Sequence, residues 1–173
     1  MNPPGHDPLL LAGKIVTLIL EAIFAIGAVA IALALPAALV FGAELPGGEP
    51  MPLLPVTGLL LLVFAIAVAL FLFFGRLRAI INTVGKGDPF VPDNASRLNA
   101  MAWLLLAAQV LMWPASILAL VIVEWANQFD EIDVSLEIDG LDLTGILMVL
   151  VLFILARVFR QGAAMRDDLE GTV

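Results

Sequence analysis

The sequence predicts an all-α integral membrane protein with four transmembrane helices and both chain ends on the inner side. Three observations carry this reading. Four long stretches contain no charged residue, running from Ala22 to Ala43, Pro50 to Gly75, Leu98 to Val123 and Leu143 to Ala156. The chain is 62% hydrophobic and 14% charged, with a mean hydropathy of +1.08, far from the balance of a water-soluble domain. Every Lys and Arg falls on one side of a four-span layout: Lys14 precedes the first run, Arg76, Arg78, Lys86 and Arg97 separate the second from the third, and Arg157, Arg160 and Arg166 follow the fourth. Short basic loops stay cytoplasmic, so the middle loop and both ends are expected inside.

Residues 1–8, with Pro3, Pro4, Pro8 and Gly5, read as a frayed inner tail. The first span is placed at residues 15–41. About 20 apolar residues cross roughly 30 Å of hydrocarbon, and the first three runs reach that length directly. Phe41-Gly42-Ala43 lacks the small residue that a signal peptidase needs three positions before its cut, so this span reads as an uncleaved anchor. The outer loop at 42–54 holds Pro46, Pro50 and Pro52 beside Gly47 and Gly48 and is expected to be irregular.

The second span, 55–84, is expected to run on as helix beyond the membrane, because Gly85 and Gly87 are its first stop signals. In the inner loop at 85–93, Asp88-Pro89 makes a turn and Phe90-Val91 tucks back toward the interface. Pro92 suits the first turn of the third span, 94–123, with Asp93 and Asn94 offering negative or capping groups. Trp103 and Trp125 lie about 33 Å apart along that helix, the separation of two interfacial belts. The fourth span, 141–165, follows an outer loop at 124–140 and is long enough only with Asp142 at one interface and Arg157 snorkelling to the other. One domain, a four-helix bundle, accounts for the whole chain.

The net charge of −8 is unevenly divided. On the inner side eight bases face six acids; the outer loops carry nine acids and no base. The acidity therefore belongs to the outer face, and no direct contact with nucleic acid is expected. From Glu131 to Asp139 the second outer loop alternates strictly, with Ile132, Val134, Leu136 and Ile138 on one face and the acids Glu131, Asp133, Glu137 and Asp139, with Ser135, on the other. Period two predicts a short amphipathic strand-like segment. Side chains two apart on a strand stand about 6.5 to 7 Å from one another, too far for one strand to wrap a calcium ion. Its acidic face is either a solvated surface or one that bridges to anionic lipid through divalent cations.

Glu21 is the one acid well inside a span. An ionised carboxylate there costs about 2.5 to 3.5 kcal/mol on insertion scales, so it is expected to face protein. Ala25, Ala28 and Ala32 share its helical face and suit close packing. Arg157 approaches the same leaflet and is the expected partner. Gln109 and Pro114 add a polar group and a freed carbonyl to the third span. These residues allow two readings, a structural pairing or an ion pathway through Glu21 and Gln109.

Enzyme chemistry finds no support. Cysteine is absent, which removes thiol chemistry, and the single histidine, His6, lies in the tail, so neither a metal triad nor a Ser-His pair can be assembled. Gly85-Lys86-Gly87 is too short for a phosphate loop and follows no strand. No catalytic residue, metal or cofactor is expected. The basic inner loop instead offers Arg76, Arg78, Lys86 and Arg97, with the Asp88-Pro89-Phe90 turn, as a candidate docking surface.

Gly87-Asp-Pro-Phe-Val-Pro-Asp-Asn-Ala-Ser-Arg-Leu98 resembles the inner-loop signature of a bacterial membrane-protein family, domain of unknown function 2975. The ending from Val158 to Val173 is similar as well, although Gly171 precedes Thr172-Val173 where that family commonly has Leu. The resemblance implies a four-helix protein of the bacterial cytoplasmic membrane, often encoded beside a small helix-turn-helix regulator, and brings no catalytic residue with it. Three roles follow as expectations: an interaction protein that binds a cytoplasmic regulator, a small oligomeric transporter or channel subunit, and a structural protein of envelope stress.

Overall fold

The computed structural model describes residues 8–41, 52–128 and 142–170. They form four helices, α1 (Pro8–Phe41), α2 (Leu53–Gly85), α3 (Pro92–Ala126) and α4 (Leu143–Glu170), each long and apolar enough to cross a membrane. Among the described residues there is no strand. The strand-like segment with Glu131, Asp133, Glu137 and Asp139 lies outside them, as does most of the first outer loop.

The helices exceed the predicted spans at most ends. Hydrocarbon thickness limits the apolar run, not the helix, so α1 starts before Lys14 and α4 runs through Arg157 to Glu170. Helices α1 and α3 continue through Pro36 and Pro114, each of which forgoes one i→i−4 bond, and in α3 Ser116 Oγ donates to the Met112 carbonyl nearby at 2.8 Å. Asp142 opens α4 by accepting the Gly145 N–H on its Oδ1 at 3.0 Å.

The helices pack in chain order, α1 on α2, α2 on α3 and α3 on α4, with no other helix pair touching among the described residues. Each neighbouring pair is antiparallel. Leu10 lies against Gly85 and Phe24 stacks on Phe74, Gly58 meets Leu118 while Thr83 meets Asn94, and Gln109 covers Gly145 while Trp103 packs edge-on against Phe153. The arrangement is an open row, not the closed bundle that four equal spans suggest. Four antiparallel helices return the two chain ends to one side, together with the turn between α2 and α3.

The core straddles α3. Ile80 of α2 and Leu152 and Ala156 of α4 enclose Leu98, Met101 and Ala102, with Phe73, Leu77, Phe153 and Phe159 around them. Ala102 and Ala156 carry only a methyl group and let the helices approach closely, which suits association driven by close packing between surfaces no more apolar than lipid. Leu9, Ile26 and Leu33 of α1 are 77%, 70% and 69% exposed, the pattern of a helix facing acyl chains.

Candidate functional site

The polar chemistry gathers at the end of the row that carries the α2–α3 turn. It starts with how α2 stops. The Gly87 N–H donates to the Val84 carbonyl at 2.9 Å and the Asp88 N–H to the Thr83 carbonyl at 3.2 Å, closing the helix with Gly87 at φ 83°. Both bonds are those of a Schellman cap, whose left-handed position only Gly takes without cost. Pro89 follows and prevents the helix from resuming.

Three anchors then fix the turn. Asn94 is wholly buried; its Nδ2 donates to Thr83 Oγ1 at 2.7 Å and to the Pro89 carbonyl at 2.9 Å, and its Oδ1 accepts from Arg97 Nη1 at 2.8 Å. Asp88 pairs with Arg166 at the far end of α4. The Phe90 ring lies on Phe159, centroids 5.3 Å apart, and over Gly162, where an added Cβ would come within 2.7 Å of it. The Gly-Asp-Pro-Phe signature thus has a structural task at every position: a left-handed cap, an ion pair, a stop with an accepting carbonyl, and an aromatic clasp on α4.

At the start of α3 the expected Pro92 and the negative Asp93 are in the first turn, whereas neither Asp93 nor Asn94 caps it. Val91, extended at φ −72° and ψ 140°, is the N-cap of α3 and makes no side-chain cap bond. Pro92 has no N–H to be capped, and Asn94 points inward because Thr83 and Pro89 offer buried partners there. Asp93 stays outside, pairs with Arg97 at 3.4 Å and favours the positive end of the helix dipole.

Glu21 also departs from expectation. Its partner is Arg78 of α2, with Nε 3.2 Å from Oε2 and Nη2 donating to Oε1 at 3.3 Å. Arg157 cannot serve, because α4 does not reach α1. Gly75, one turn before Arg78, makes room: a Cβ there would stand 3.3 Å from Oε1, so the carboxylate rests directly on the α2 backbone. The Glu21 side chain is 14% exposed and Arg78 37%; Oε2 is buried and close to Nε without making a hydrogen bond.

Of the candidate docking residues, Arg78 and Arg97 are therefore occupied by Glu21 and by Asp93 and Asn94. Lys86 is exposed at the C-cap of α2 and Arg76 is half-buried. Gln109 lies midway along α3, against Gly145 near the start of α4, and α3 does not pack on α1, which carries Glu21. The two polar groups of the ion-pathway reading are not brought together in one chain.

No curated protein and no solved structure matches the chain. A family model described as Protein of unknown function (DUF2975) matches residues 43–173, taking in α2, α3, α4 and the whole latched turn. On that match the resemblance read from the inner-loop signature holds, and this four-helix chain belongs to the DUF2975 family.

Proposed function

We propose that the protein is a multi-pass component of the bacterial cytoplasmic membrane whose inner face is a fixed platform for a soluble partner. The observation that carries this reading is the double tie between the turn and α4, through Asp88–Arg166 and through Phe90 on Phe159 and Gly162. A helical hairpin needs neither tie to close. Their effect is to join the turn and the end of α4 into one surface, and α4, at 28 residues and about 42 Å, is long enough to carry that surface beyond a roughly 30 Å core.

The orientation follows from charge. All eight bases lie toward the chain-end side of the row, which supports a cytoplasmic position for that side and an outer one for the acidic loops. The absence of native cysteine allows single-cysteine probes. Cysteine at Ser135 labels from outside in intact cells with an impermeant reagent, and cysteine at Ser96 or Thr172 labels only after the membrane is opened. Outside labelling at Ser96 overturns the orientation.

The partner is a soluble protein with an acidic patch, and the small helix-turn-helix regulator suggested by the family resemblance is the first to test. Arg76→Glu with Lys86→Glu reverses the two bases of the platform that have no ion pair among the described residues. Co-sedimentation of the regulator with vesicles holding the full chain falls at least roughly tenfold, as attraction becomes repulsion. Lys86→Glu alone keeps stability within about 0.5 kcal/mol, since Lys86 is exposed, and folding of the double variant is measured beside recruitment because Arg76 is half-buried next to the Gly75 seat of Glu21. A correctly inserted variant that recruits the regulator as the parent does removes the platform reading.

A further inference from the structure

Two arginines take no part in the turn. Arg157 and Arg160 are exposed on α4, one turn apart, and neither has an ion pair among the described residues. With Asn99 of α3 and Gln161 they surround a cavity of about 410 Å³ floored by Phe153 and Ala156. Two cationic forks and two amides thus converge on an apolar floor between two helices.

The depth of this cavity identifies what reaches it. Arg157 stands fifteen residues beyond Asp142 and Arg160 eighteen, about 22 and 27 Å of helix rise, which puts Arg157 within snorkelling reach of the far edge of a roughly 30 Å hydrocarbon core and Arg160 close to that edge. Trp103, exposed and one turn on from Asn99, packs edge-on against the Phe153 of the lining, so the mouth has an exposed apolar rim. At this level arginine side chains extend toward phosphates, and a guanidinium binds two phosphate oxygens at once. The volume falls within the range of small-ligand sites.

We infer that this cavity binds the phosphate headgroup of an anionic phospholipid of the inner leaflet, with Arg157 and Arg160 on the phosphate and the Asn99 and Gln161 amides on the glycerol or headgroup oxygens. Free phosphate shares the chemistry but lacks the acyl chains that the exposed apolar rim accommodates. The site is separate from the platform residues Arg76 and Lys86, so either reading stands or falls without the other.

The test uses the full chain in a neutral detergent, with bound adducts counted by native mass spectrometry. The probes are short-chain phosphatidylglycerol, short-chain phosphatidylcholine and inorganic phosphate. Phosphatidylglycerol is retained, phosphatidylcholine and phosphate are not, and Arg157→Gln with Arg160→Gln lowers phosphatidylglycerol affinity at least roughly tenfold, the scale set by two basic residues near anionic lipid. Lys14→Gln, an equal charge loss on α1, leaves it unchanged. The single change Arg160→Gln, farther out on the helix, carries the test if the double variant does not fold. Equal retention of the two lipids, parent-like binding by the arginine variants, or an equal loss in Lys14→Gln overturns the site, and tight binding of inorganic phosphate alone overturns the lipid as its occupant.

Discussion

Arg78→Ala lowers the unfolding stability of the protein in detergent by about 3 kcal/mol, and Glu21→Ala by about 1 kcal/mol. Breaking a fully buried ion pair costs about 3 to 5 kcal/mol, and the one-third exposure of Arg78 puts this pair at the lower edge. The asymmetry comes from what each change leaves behind. Without Arg78 the short Glu21 side chain is held against the Gly75 backbone with Oε2 already lacking a hydrogen bond. Without Glu21 the long arginine stem swings its charge to the interface. The double variant costs less than the sum of the two, by about 1 kcal/mol or more. Arg157→Ala, by contrast, shifts stability by less than about 0.5 kcal/mol and shows no coupling to Glu21. Additive losses for Glu21 and Arg78, or coupling of Glu21 to Arg157, would reject the assignment.

Asn94→Ala removes the centre of the inner turn and lowers stability by about 2 to 3 kcal/mol. Two donated bonds vanish, the Pro89 carbonyl is left beside an apolar void, and Arg97 Nη1 loses its acceptor. Thr83→Val costs less, about 1 kcal/mol, because Thr83 Oγ1 is only one of the three partners. Hydrogen exchange gives a second readout: the Gly87 and Asp88 amides, which close the α2 cap, exchange faster in Asn94→Ala than in the parent. A loss below about 0.5 kcal/mol with unchanged exchange would show that the turn holds without its buried amide.

The four helices were legible because an uncharged run of about 20 residues has few destinations other than a bilayer. The end of α2 was legible too, since Gly85 and Gly87 carry a conformational signal that no other residue type supplies. Partner choice for Glu21 was not. Arg78 and Arg157 both lie toward the chain-end side of the row, and charge alone does not separate them; only the order of packing along the row decides, with α2 beside α1 and α4 separated from it by two helices. Gly75 one turn before Arg78 was the signal available, a bare patch on the helix that follows α1 directly. Asn94 misled for a related reason. Its place near a helix start fits a cap, but a buried amide goes where the most unpaired partners are, and those belong to the preceding helix and turn.

The clasp of Phe90 on α4 also orders the making of the protein. During synthesis α2, the turn and α3 are complete while α4 is still to come, and the cap at Gly87 together with Asn94 closes within that hairpin. Asp88 and Phe90, however, have to wait for Arg166, Phe159 and Gly162, which belong to α4. Until α4 is in place, an aromatic ring and a carboxylate stand uncovered at the end of the hairpin. The latch is thus a record of the arrival of α4, and a hairpin without that helix differs from one that has it in the very surface around the turn.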